Sequence, residues 1–473
     1  MLWTSPVRWK DFGSAGAKWS CNPGKVSCAI VTKPGSTGNG TNDERKPPGP
    51  IHLIGVLRHR NFRRLWLSQL ISQAGDWFQR IALLALLSEL GVQEAWWGVG
   101  TLFGVELTLR LLPAAFFGPI AGPFADRFSK RGLMLAADLF RAVVVLGFLW
   151  IDQPDEIPWL YALLLLHMSS SIFFTAARSA AVPETVPKDE LHDALALSAA
   201  TWSAMLAFGS ALGGLLMQGV GIRGIFLLDS FTFLLSAGFL FGLRLPPVAK
   251  HPEPLRLGDL LLFRDLARAA RHGRQQRLFP ALFAKTLWGG AGGFLVILAL
   301  LAKDRFALGG GPEAVGGAMA ILYAARGVGT GLGPFLGRRL LGRHRSALRR
   351  QVGWGFWIGA SGYALVPFCP NLLLAFLVIS LAHCGGSVLW VCSSTLWQQS
   401  AQPAFRGRLF ALEFFGMTVA FSATGLLAGA LYDSGASLNG LLWGHAALVL
   451  LGGLIWSLWS PSLPSENSPE GLS

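Results

Sequence analysis

From about position 60 onward the chain alternates between apolar stretches of roughly 20 residues, the length of an α-helix that crosses the ~30 Å hydrocarbon core of a bilayer, and short polar joints. The pattern predicts spans at about 62–89, 96–119, 132–151, 158–177, 192–219, 221–243, 278–301, 314–336, 352–368, 371–396, 407–431 and 439–459. In lipid the backbone must satisfy its own hydrogen bonds, so each run is expected to be helical. The segment Arg244 to Arg277 carries eight basic and three acidic residues, with a helical stretch around Asp259 to Arg274, and divides the spans into two sets of six. The expected organisation is a disordered tail (1–56), a six-helix bundle (57–243), the linker (244–277), a second bundle (278–460) and a short tail (461–473).

Polar residues then orient the spans. Loops on the linker's side hold three Lys/Arg at 127–131, two at 178–190, six at 336–350, and Arg406 and Arg408. The opposite loops hold Arg223, Lys303 and Arg305 beside the acidic Asp152, Asp155 and Glu156. The positive-inside rule places the linker and both termini in the cytoplasm. Trp96, Trp97, Trp150, Trp159 and Trp459 fall at span ends, where an indole anchors in the headgroup layer. With 52% hydrophobic and 14% charged residues, the chain has too little charge to cover a water-facing surface. Its net charge of +14 lies between spans and forms no basic domain, which argues against a nucleic-acid partner. Cys21, Cys28, Cys369, Cys384 and Cys392 have no metal-ligand spacing, and no cofactor is expected. No Gly-Lys-Ser/Thr phosphate loop is present, which argues against ATP as the energy source.

The halves echo each other: Gly122 to Arg127 (GPFADR) follows the second span, and Gly333 to Arg338 (GPFLGR) closes the eighth. Gly122, Asp126, Arg127, Lys130 and Arg131 reproduce the spacing of the signature between spans two and three of the major facilitator superfamily, which the chain resembles. Leu57 to Trp66, Ala177 to Pro187 and Phe405 to Phe410 resemble the branch containing the enterobactin exporter and macrolide efflux proteins. In span five, Ser210 stands after Gly209 where the antiporter signature of that family has proline. The resemblance implies an all-α membrane protein of twelve transmembrane helices in two six-helix bundles, with alternating access and often proton-coupled export. It also implies that Asp126 lies close to the amino end of span eleven near Phe405 to Arg408, as part of a cytoplasmic gate.

Charges inside spans are costly and mark partners or wet cavities. Asp76 and Arg80, and Glu106 and Arg110, lie at i,i+4, and Asp138 and Arg141 at i,i+3, so each pair can share a helix face. Asp76 and Glu106 are the candidate proton-coupling carboxylates, with Arg80 and Arg110 as charge partners; local neutralisation is the alternative for all three pairs. Asp229, Lys285, Arg326 and Glu413 have no partner on their own helix and require one across helices. Lys285 and Arg326 are candidates to bind an anionic group. Trp77, Phe78, Trp288 and Trp390 are candidate cavity walls, with ordinary helix packing as the alternative. His167 and His383 read as satisfied core histidines.

The combined expectation is a secondary active transporter, not an enzyme, resident as a monomer in a bacterial inner (plasma) membrane. It exports a small amphipathic molecule (a drug, siderophore or metabolite), coupled to protons. An importer or lipid flippase on the same fold, and a transport-dead sensor or scaffold, remain as alternatives.

Overall fold

In the computed structural model, residues 19–21, 28–30, 54–93, 97–247, 262–307, 310–342, 344–402 and 405–463 are described. The chain divides at Ile51/His52. In the first unit, Trp19–Cys21 pairs antiparallel with Cys28–Ile30; the rest of the expected tail up to 53, most of the linker before 262, Trp96 and residues 464–473 lie outside the described residues.

The second unit is helical: α1 (Arg60–Gln93), α2 (Val99–Arg127), α3 (Lys130–Leu146), α4 (Ile157–Ala181), α5 (Leu191–Ala204), α6 (Ser210–Phe241), α7 (Leu262–Gln275), α8 (Phe279–Leu287), α9 (Gly290–Leu301), α10 (Pro312–Leu341), α11 (Arg345–Leu365), α12 (Leu372–Ser400), α13 (Arg406–Asp433) and α14 (Leu438–Trp459). Eight segments are long and apolar enough to cross a membrane. One of them, Leu191–Phe241, has 51 residues, more than double the ~20 that one crossing needs, and it bends at Gly221, whose φ of 68° suits glycine alone. The long helices α1, α10 and α11 fall outside those eight segments. With Leu191–Phe241 crossing twice, the α8–α9 pair counted as one of the eight segments, and α1, α10 and α11 added, the arrangement fits the twelve expected crossings.

Side chains in the joints set the helix ends. Ser129, Asn371 and Ser437 accept from the backbone N–H groups of Gly132, Leu374 and Gly440, capping α3, α12 and α14. Where the resemblance leads one to expect a Gly-Pro pair, Met205–Gly209 forms a π-turn that joins α5 to α6, and the Ser210 hydroxyl donates to the Leu206 carbonyl at 2.5 Å.

One bundle packs α1 along α6, α2 along α4, and α3 between α4 and α6; the other packs α10 and α11 along α12, and α9 and α11 against α13 and α14. The outer surface is apolar, with Val143, Leu215, Phe231, Leu377 and Leu458 more than half exposed, as lipid contact requires. The bundles meet along two seams, α2 against α13 and α10 against the π-turn and α6.

Seam spacing differs between the two ends. Here the linker end is the one bearing α7, and the far end is its opposite. A Cβ on Gly429 would sit 2.0 Å from the Gly100 carbonyl oxygen, and one on Gly327 would sit 2.4 Å from the Ala207 nitrogen. Backbones touch there as in small-residue helix crossings. Toward the linker end a Cβ on Gly118 or Gly122 of α2, or on Gly331 of α10, meets nothing within 4 Å. The bundles therefore touch at the far end and at mid-seam, while α2 and α10 stand clear at these glycines toward the linker end.

Candidate functional site: charges between and within the bundles

The first bundle holds an acid network. Asp76 on α1 places Oδ1 3.1 Å from His167 Nε2 on α4 and 3.6 Å from an Arg141 guanidinium nitrogen on α3. Arg141 also pairs with Asp138, donates to Ser72 Oγ at 3.2 Å, and lies against the rings of Phe174 and Phe233. Ser236 donates to Asp138 at 2.6 Å. Asp229 accepts from Thr232 at 3.3 Å and occupies the space a side chain at Gly75 would need, so Gly75 admits it beside the Asp76 turn. Asp138 and Asp229 are fully buried, whereas the Asp76 side chain is 24% exposed. Of these three acids, Asp76 is the one with accessible surface.

This corrects the expected Asp76–Arg80 pairing. The i,i+4 spacing puts both on one face of α1, but Arg80 extends to Glu106 on α2 and to the rings of Trp77 and Tyr323, while Arg141 of α3 and His167 of α4 claim Asp76. His167, expected to be a satisfied core residue, is the Asp76 partner. The Asp138–Arg141 pair forms as its i,i+3 spacing implies.

At the seam, Glu106 Oε1 accepts from Arg110 Nε at 2.6 Å and lies 3.7 Å from Arg80 Nε. Tyr323 of α10 lies under the Arg80 guanidinium at 4.9 Å and donates to the Leu295 carbonyl at 3.2 Å. Arg326 follows Tyr323 one turn later on the same face of α10. No salt bridge to Arg326 forms among the described residues.

In the second bundle Lys285 of α8 pairs with Glu413 of α13 at 3.1 Å, which supplies the cross-helix match both residues required. Lys285 also donates to Ser394 Oγ at 2.7 Å and sits 4.3 Å above the Trp390 ring, while Trp397 Nε1 donates to Glu413 at 3.1 Å. With its charge neutralised, Lys285 does not serve as the free anion-binding cation that was expected. A buried pair costs most when one member is removed. Lys285→Met is expected to destabilise the protein by about 3–5 kcal/mol, and adding Glu413→Gln to recover most of that loss. Thermal unfolding in detergent measures both; equal losses in the single and double variants contradict the pairing.

Two expected cavity walls are packing residues in this state. Phe78 is 5% exposed and fills the space beside Gly213, and Trp288 is 4% exposed and wedged among Phe356, Tyr363, Gly359 and Gly386. Trp77 is half-buried on the seam and Trp390 is 40% exposed. The Gly122 motif lies at the linker end: Asp126 is exposed, Lys130 donates to Glu184 at 2.8 Å, and Arg131 lies over the Phe241 ring. Nearby, His59, at 2.9 Å, and Arg58 hold the Glu190 carboxyl below its usual range, tying the start of α1 to that of α5.

Comparison with known proteins places this geometry. Macrolide efflux protein A of Streptococcus pyogenes is 24% identical over 386 residues, 80% of this chain and 90% of that protein. The uncharacterised MFS-type transporter YfiS of Bacillus subtilis (strain 168) is 29% identical over 182 residues, 37% of this chain, and the chain spans only 40% of its length. The solved POT family transporter PepTSo shares the fold, with a TM-score of 0.67 at 13% identity over 86% of this chain and 98% of that one. The sequence profile of the Major Facilitator Superfamily matches residues 65–348, from the start of the first span into α11. The chain belongs to the Major Facilitator Superfamily.

Proposed function

We propose that the chain exports a small amphipathic molecule by alternating access, driven by proton entry, from an inner (plasma) membrane in which the linker end faces the cytoplasm. The observation that carries the proton coupling is Asp76, a partly exposed carboxylate held by buried groups on two other helices. A proton arriving on Asp76 cancels its attraction to Arg141, which keeps Asp138 as its partner, and weakens the tie of α1 to α3 and α4. Such a change can bias the two bundles between facings. Export is supported by likeness to macrolide efflux protein A, and the clearance of α2 and α10 toward the linker end suits loading from the cytoplasm.

Cells carrying the protein are expected to hold less radiolabelled erythromycin, lipophilic cation or catecholate siderophore than cells without it, until a protonophore abolishes the difference. Higher accumulation of the label contradicts export and favours an importer. Orientation is tested separately. A cysteine at the exposed Arg268 on α7 is expected to resist a membrane-impermeant maleimide in intact cells and to react once the cells are opened. Labelling in intact cells reverses the topology.

A further inference from the structure

The seam between the bundles holds more positive charge than it neutralises. Arg80 and Arg110 meet there at one carboxylate, Glu106, the Tyr323 ring lies under Arg80, and Arg326 follows Tyr323 one turn later on α10. Arg80 and Arg110 share a single Glu106 oxygen, and no salt bridge to Arg326 forms among the described residues. One buried nitrogen on each guanidinium has no hydrogen-bond partner: Nε of Arg80, and one terminal nitrogen each of Arg110 and Arg326. Buried donors are nearly always satisfied, so an acceptor that reached these nitrogens would complete their hydrogen bonding.

We propose that these three guanidiniums form the binding site for the oxyanion of an amphipathic monoanion, a carboxylate being the simplest, with Trp77 and Tyr323 covering its apolar part. This names the substrate class and rests on the transporter reading. Planar guanidinium forks match the oxygens of a carboxylate or phosphate. Both bundles contribute, Arg80 and Arg110 from one and Arg326 from the other, so the anion draws α1 and α2 toward α10. The close approach of Gly327 to the π-turn at Ala207 holds the neighbouring Arg326 at this seam. Lys285 is excluded from the role by Glu413.

The test uses the full chain in phosphatidylcholine nanodiscs and needs neither flux nor a proton gradient, so it stands if the export reading fails. The probes are dansyl-phenylalanine, phenylbutyrate and naphthylacetate, each beside its methyl ester, with binding read by thermophoresis. At least one acid is expected to bind about ten-fold or more tightly than its ester. Arg326→Gln is expected to erase that preference, and Arg326→Lys, which keeps charge but loses the fork, to reduce it. The Lys variant decides should the Gln variant fail to fold. If no acid is preferred over its ester, or the preference survives unchanged in a folded variant, the site is overturned. Adding phosphatidylglycerol identifies the source of the oxyanion: displacement of the acid assigns the site to a lipid headgroup, and undiminished binding assigns it to a free amphipathic anion.

Discussion

Asp76→Asn is expected to abolish proton-driven efflux while substrate counterflow in proteoliposomes stays within about two-fold of wild type. Asparagine keeps the shape of the carboxyl and can hydrogen-bond His167, but it cannot gain or lose a proton. The site then behaves as though permanently protonated, so exchange of bound substrate continues while the step that couples it to a gradient is lost. Arg141 loses one of its two carboxylates and keeps Asp138, so no buried guanidinium is stranded. Glu106→Gln should behave differently. It removes the carboxylate shared by Arg80 and Arg110, and the loss is expected in folding yield and thermal stability more than in coupling. An Asp76→Asn protein that pumps uphill normally makes Asp76 a structural partner and moves the coupling role to another acid.

Asp433→Ala is expected to open the far end. The Asp433 carboxylate, at the last residue of α13, accepts from the backbone nitrogens of Gly100 and Thr101 at 2.9 and 2.7 Å, capping the first turn of α2 across the boundary between bundles. An anion there meets unsatisfied N–H groups and the positive end of a helix dipole. Such caps are worth about 0.5–2 kcal/mol, so their loss shifts the closed-to-open ratio by a few-fold to about thirty-fold. Spin labels at the exposed Asp155 and Pro370, one on each bundle at this end, are expected to show a longer-distance population in the variant. An unchanged distribution means that the Gly100–Gly429 contact alone holds this end shut. The same chemistry has a counterpart at the linker end, where Asp126 closes α2 and the resemblance sets it opposite the start of α13. In the observed state Asp126 is exposed and the adjoining turn of α2 stands clear. Two acids, each capping the other bundle's helix in turn, would give the alternation a symmetric pair of latches.

The spans, the turn near Gly221 and the division into two bundles were legible because each rests on local pattern: apolar length, a glycine, a charged linker. The charge partners were legible only within one helix. Asp138–Arg141 and Glu106–Arg110 form at their i,i+3 and i,i+4 spacings, yet the same spacing fails for Asp76 and Arg80, because packing offers each a closer partner on another helix. His167 gave no signal, since a lone histidine in an apolar run looks the same whether it faces lipid, core or a carboxylate. The need for cross-helix partners at Lys285 and Glu413 was readable; that they find each other is a property of how α8 meets α13. Asp433 was hidden for the opposite reason, since an acid at a span end looks like an ordinary loop residue until α2 is seen to start against it.

Coupling of an amphipathic substrate to protons is read in everted vesicles energised to an acid interior and monitored by acridine orange. Adding a catecholate siderophore, an amphipathic carboxylate or a macrolide is expected to release protons and restore fluorescence with the wild-type protein and not with Asp76→Asn. The account is contradicted if no compound restores fluorescence beyond vesicles lacking the protein, or if wild type and Asp76→Asn respond alike.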